Sequence, residues 1–80
     1  MERDPITLES INEALKLAEA RAARKMMGNK GALVNTHEAF GKIYEEVQEA
    51  AQEMHDNNTV SFKDELIDII VACAWGIASL

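Results

Sequence analysis

Apolar positions recur along the chain in three runs, each with the period of a helix. In the first run Leu8, Ile11, Leu15, Ala18 and Ala22 repeat at spacings of three and four, which places them on one side of a helix running to about Met27. Asp4 before Pro5 is a good start for it, an N-cap acceptor followed by a residue whose φ suits the first helical position; Thr7 is the alternative cap. Met1 to Arg3 are expected to fray. Glu9, Glu13, Lys16 and Glu19 cover the outside, with Lys16 in reach of Glu13 and Glu19. The last turn is basic (Arg21, Arg24, Lys25), a charge sign that suits a helix C-terminus. Gly28-Asn29-Lys30-Gly31 then breaks the helix, with Gly28 expected as a left-handed cap. Two glycines around Asn-Lys lack the spacing of a P-loop, so the stretch reads as a flexible connection or lid.

In the second run Phe40, Ile43, Tyr44, Val47, Ala51 and Met54 fall in one arc, with Ala50 at its edge, and predict the core stripe of a helix capped by Thr36 and ending near Asp56. Lys42, Glu46, Glu49 and Glu53 occupy the neighbouring arc, where a second helix would meet this one. Glu45 and Gln52 lie opposite the core. Asp56-Asn57-Asn58 makes a turn, and a third helix starts at Thr59 or Ser61, with Ser61 to Asp64 in the pattern of a capping box. Met26, Met27 and Met54 read as core gap-fillers.

The third run differs in kind. From Leu66 to Leu80 every position is apolar or small except Asp68. The run is shorter than the roughly 20 residues needed to cross a bilayer, so it predicts a helix buried on nearly all sides by other protein. A carboxylate inside such a helix is costly unless paired, hydrogen-bonded or bound to a metal. Asp68 shares a stripe with Glu65, Ala72, Gly76 and Ser79, small residues beyond the acids that let a second helix approach closely.

Length and charge narrow the picture. Eighty residues make one small domain, too small to hide a composition that is 48% hydrophobic, so a homodimer or homotetramer is expected, with the third helix central. The formal charge of −6 argues against a nucleic-acid polymer or an anionic membrane surface as partner. A small phosphorylated ligand remains compatible, because a bound divalent cation reverses the local sign. Cys73, the single cysteine, reads as an inert core residue, and His37 and His55 are not at zinc-ligand spacing. MERDPITLES has no apolar signal region, so a cytoplasmic location is expected.

Glu46-x-x-Glu49 and Glu65-x-x-Asp68 lie on helices joined by a short turn, so the fold expected is all-α: an antiparallel bundle of three helices per chain in which four carboxylates converge. Such a set calls for cations, and oxygen-only ligation suits Mg²⁺ or Mn²⁺. The ordered ExxE and ExxD pair resembles the signature of the MazG-like all-α nucleoside triphosphate pyrophosphatases. THEAFGKIYEEVQEA and FKDELIDIIVACAWG are similar to that family's two acidic segments, and RAARKMMG to a basic helix end in some members. The resemblance covers roughly residues 20–80. It implies a single MazG-like domain over residues 1–80 in which Glu46, Glu49, Glu65 and Asp68 bind Mg²⁺. It further implies hydrolysis of a nucleoside triphosphate to the monophosphate and pyrophosphate, with Glu45 or Glu49 positioning the water and Lys42, Arg24 and Lys25 holding the triphosphate. Where many members carry asparagine or a basic residue two turns beyond the ExxD aspartate, this chain has Trp75, which leaves the preferred base and sugar open. The competing expectation, from a different class, is a non-catalytic helical oligomerisation or nucleotide-binding module in which the acids are incidental.

Overall fold

Short polar side chains start all three helices of the computed structural model, which describes residues 3–28 and 31–80. They are α1 (Leu8–Met26), α2 (Thr36–His55) and α3 (Thr59–Ser79), and no strand occurs among the described residues. Thr7 caps α1 in a reciprocal box: its hydroxyl accepts from the Ser10 N–H at 3.1 Å, and the Ser10 hydroxyl accepts from the Thr7 N–H at 3.2 Å. That box leaves Asp4 and Pro5 outside the helix, against the first expectation and in favour of the alternative. Asn35 caps α2 by accepting from the Glu38 N–H at 3.0 Å, so Thr36 is already helical rather than the cap. Asn58 caps α3 by accepting from the Ser61 N–H at 3.1 Å. The capping box expected from Ser61 to Asp64 therefore does not form; asparagine, one of the best N-cap residues, takes the position first.

At its other end α1 closes on Met27 in the right-handed helical region, where the Met27 N–H donates to the Arg24 carbonyl at 3.3 Å and the Gly28 N–H to the Lys25 carbonyl at 3.4 Å. No glycine among the described residues has a positive φ, so the left-handed cap expected at Gly28 is not seen. The residue that does adopt that conformation is Asn57, with φ 56°, in the turn between α2 and α3. The expected fraying of Met1 and Glu2, and the centre of the Gly28–Gly31 connection at Asn29 and Lys30, lie outside the described residues.

α3 packs against both other helices. Its small stripe does what small residues allow: Ala72 and Gly76 are buried, and a Cβ added at Gly76 would sit 3.5 Å from the Ala39 Cβ of α2. Past that close approach the connection is tied to the end of α3. The Leu33 N–H donates to the Ser79 hydroxyl at 2.9 Å, and the Trp75 indole N–H donates to the Gly31 carbonyl at 2.9 Å.

The faces of the helices depart from expectation. On α2 the buried residues are Ala39, Glu46 and Ala50, whereas Phe40, Tyr44, Val47 and Met54 of the supposed core stripe are exposed. On α1 only Ala18 is buried, and Leu8, Ile11 and Leu15 face outward. Met26 and Met27 are exposed too, so none of the three methionines named as gap-fillers is in the core. Within the single chain α3 leaves Leu66 and Ile77 exposed, so the all-round enclosure expected for it would need a partner copy. On α2 the cause is the tightness of its seam with α3: helices that meet at Ala39 and Gly76 leave no room there for Phe40 or Tyr44, which turn to the outside. No described helix is long and apolar enough to cross a membrane.

This seam makes a graded prediction at Gly76. An alanine Cβ meets Ala39 at ordinary contact distance and removes the backbone freedom that makes glycine cost a helix about 0.5–1 kcal/mol. Gly76→Ala is therefore expected to leave stability unchanged or raise it by up to about 1 kcal/mol. Gly76→Leu is expected to lower it by at least about 1–3 kcal/mol through overpacking. Urea unfolding of the two variants checks the opposite signs.

Candidate functional site

The seam that buries Ala39 and Ala50 also carries Glu46 inward, because position 46 lies on the same side of α2. Glu49 follows one turn later, and α3 presents Glu65 opposite. One carboxylate oxygen from each of Glu46, Glu49 and Glu65 lies within 4.8 Å of the others, a spacing that could hold a metal ion. Glu46 is buried, Glu65 half-buried and Glu49 exposed, so the cluster opens to solvent on one side.

The electrostatics record the crowding. Burial pushes the Glu65 carboxyl up to about 6, helped by the neighbouring Glu49 and by the charges of Asp68 and Glu46. Glu46 is raised as well, first by burial and then by Glu49 and Asp68, with Lys25 and Lys42 opposing. The Oε2 oxygen of Glu65 is buried without a hydrogen-bond partner. A crowded group of carboxylates with an orphaned acceptor is a donor set that suits a hard divalent cation, which takes oxygen ligands and tolerates a partly open site.

Asp68, the fourth expected ligand, is engaged differently. It is drawn into a clamp by the last turns of α1: Lys25 Nζ is 3.0 Å and Arg21 Nη1 3.3 Å from its Oδ1. Arg21 also donates to the Asp64 carboxylate at 2.7 Å and to the Asp64 backbone carbonyl at 2.9 Å. The guanidinium is held above its usual range, chiefly by Asp64 and then Asp68, with burial opposing. Asp64 thus serves as an ion-pair partner and not as a helix cap.

The remaining expected residues divide. Arg24 and Lys25, with Arg21, line an open cavity of about 470 Å³ whose other walls are Asp64, Glu65 and Asp68. Lys42 stands over the cluster, its Nζ 3.9 Å from Glu46 and 4.0 Å from Glu45. Glu45 itself is exposed and is not among the three converging carboxylates. The sequence alone does not single out Arg21, because its basic run also suits a helix C-terminus. The signal available was its spacing of four from Lys25, which puts both on one face of α1.

No family model, no curated protein and no solved structure matches the chain.

Proposed function

We propose that the protein is a MazG-like nucleoside triphosphate pyrophosphohydrolase, acting with Mg²⁺ (or Mn²⁺) to convert a nucleoside triphosphate to its monophosphate and pyrophosphate. The observation that carries this reading is the convergence of Glu46, Glu49 and Glu65 from two helices, with a buried oxygen of Glu65 unpartnered, beside a cavity walled by Arg21, Arg24 and Lys25. Glu46, Glu49 and Glu65 are the residues that would hold the metal, and Asp68 would join them when released from its clamp. When bound, the ion supplies charge neutralisation at the phosphate oxygens and a more acidic water.

The chain's own groups do the rest. Arg21, Arg24 and Lys25 offset the negative charge of the polyphosphate and orient it, and Lys42 stands on the α2 side for the same work. Glu49, the solvent-facing member of the cluster, accepts the proton of the water that attacks the α-phosphorus as the bond to the bridging oxygen breaks. Glu45 lies away from the cluster and is left with the lesser part of steadying Lys42. The exposed residues Phe40, Tyr44 and Val47 of α2 and Leu8, Ile11 and Leu15 of α1 support an antiparallel bundle completed by a second copy, as a homodimer or homotetramer.

One observation favours a second reading. Asp68 already has two cationic partners, as it would in a non-catalytic helical module where the acids and bases only fix the packing.

Incubation with each standard nucleoside triphosphate and Mg²⁺ or Mn²⁺ decides between them. Pyrophosphate release from at least one triphosphate, lost on chelation, is the expected outcome. Orthophosphate release would mean a different reaction class, and no turnover of any triphosphate would favour the module.

A pH series provides a second check. Because the Glu65 carboxyl lies near 6 in the folded chain against 4.5 for the ordinary group, the folded state binds more protons than the unfolded state between those values. Metal-free stability is therefore expected to fall as pH rises through that window. Saturating Mg²⁺ favours the ionised carboxylates and is expected to remove the fall, as thermal melts across the window would register. Stability that climbs through the same window without metal would contradict it.

A further inference from the structure

A second cavity adjoins the cluster on the side away from Asp64. It has a volume of about 230 Å³ and is lined by Lys25, Lys42, Glu46, Asp68, Val71, Ala72 and Trp75. Its position follows from helical register: Asp68, Ala72 and Trp75 climb one side of α3 at spacings of four and three, from the clamp to the connection. Val71 and Ala72 are buried and form an apolar floor, while Trp75 is half-buried. The indole is not free to swing, since its N–H donates to the Gly31 carbonyl at 2.9 Å. The mouth carries the opposite chemistry, the ammonium groups of Lys25 and Lys42 facing the carboxylates of Asp68 and Glu46.

An aromatic wall, an apolar floor and cations at one edge match a flat ring attached to an anion. The volume is below the roughly 300–1,000 Å³ typical of pockets that take a whole drug-sized ligand, so it suits one ring system and not an entire nucleotide. The larger cavity lies on the other side of the Lys25–Asp68 ion pair and is lined by Arg21, Arg24 and Lys25. Both cavities share Lys25 and Asp68, and each is bordered by a carboxylate of the cluster, Glu46 on one side and Glu65 on the other.

We infer that the cavity walled by Trp75 is a nucleobase seat, with the base stacked on the indole, the 5′-phosphate met by Lys25 and Lys42, and the outer phosphates directed toward Arg21 and Arg24. This rests on the proposed reading of the cluster as a nucleotide site and adds where the base goes and which residue senses it. Stacking on an indole is tolerant of base identity and adds affinity that inorganic polyphosphate cannot obtain.

Trp75 is the only tryptophan, so its fluorescence reports the seat alone. The probes are the 5′-monophosphates of the four DNA bases, with inorganic tripolyphosphate as control, each titrated into the full chain with Mg²⁺ and followed by fluorescence and calorimetry. At least one monophosphate is expected to quench the emission, and tripolyphosphate to bind without quenching. Trp75→Leu is expected to weaken binding of that monophosphate by about 5- to 150-fold and to leave tripolyphosphate affinity unchanged. Trp75→Phe, which keeps a ring but loses the bond to Gly31, is expected to retain most of the affinity. Unmoved fluorescence with every monophosphate would overturn the inference. So would equal losses in the Leu and Phe variants, which would make the strap to Gly31 the important feature, or a parallel loss of tripolyphosphate binding in Trp75→Leu. Quenching without pyrophosphate release would keep the seat and reject the hydrolase. Pyrophosphate release with a silent Trp75 would keep the hydrolase and reject the seat.

Discussion

Three carboxylates held within 4.8 Å of one another in a helix seam are the constraint around which this small structure is arranged. Two like charges at such a distance repel by roughly 3–4 kcal/mol even at an effective dielectric of about 20. A domain of this size has a total stability of only about 5–15 kcal/mol. The chain reduces the cost by letting Glu65 hold its proton until about pH 6 and by keeping Glu49 in solvent. The buried Oε2 of Glu65 stays unpartnered nonetheless. Glutamine at position 65 would keep the shape and remove that repulsion, so the ionised trio is a cost to the metal-free domain.

The convergence depends on what lies on either side of it. Toward the end of α3, Gly76 and Ala39 bring the two helices into contact, so the seam is narrow enough for glutamates on both sides to meet. Toward the start of α3, Arg21 and Lys25 reach across from α1 and draw Asp64 and Asp68 outward. The acids thus separate into two groups with different partners: a pair matched by close cations, and a trio in which Glu46 alone is opposed by cations, Lys25 and Lys42, with Lys42 Nζ 3.9 Å away. An anionic ligand that engaged Arg21 and Lys25 would loosen their hold on Asp68, turning a matched acid into an additional ligand. Binding of phosphate and of metal would then reinforce each other at this site.

The existence and order of the helices were legible because three runs of apolar residues carry the helical period, and the punctuation between them is unambiguous. The helix starts were less so. Asp4, Thr36 and Ser61 are all competent caps, and only the folded chain shows that Thr7, Asn35 and Asn58 prevail. The inward face of α2 differs from its apolar arc for a physical reason: the largest apolar side chains, Phe40, Tyr44 and Val47, lie on one arc, but a close seam admits small residues, so Ala39, Ala50 and Glu46 are the buried ones. The acidic arc marks the margin where a second helix would meet α2, and of its members Glu46 is buried in the seam while Glu49 stays exposed. The clamp on Asp68 was not legible, since whether α1 passes over the start of α3 is set by a connection whose path no spacing rule predicts. In the sequence Trp75 stands out only as a departure from the resemblance; its place in a cavity wall depends on Lys25, Lys42 and Val71 being brought together in space.

If the trio exists to hold a cation, removing one of its charges should relieve the metal-free protein and abolish its response to metal. Thermal melts of the wild type and Glu65→Gln, each with and without Mg²⁺, measure this directly. The wild type should gain stability with Mg²⁺ by mass action, about 2.7 kcal/mol at one hundred times the dissociation constant. Glu65→Gln should match or exceed the metal-free wild type and gain much less from the ion. A Glu65→Gln variant less stable than the wild type, together with a wild-type melt that Mg²⁺ does not move, would contradict the cation site.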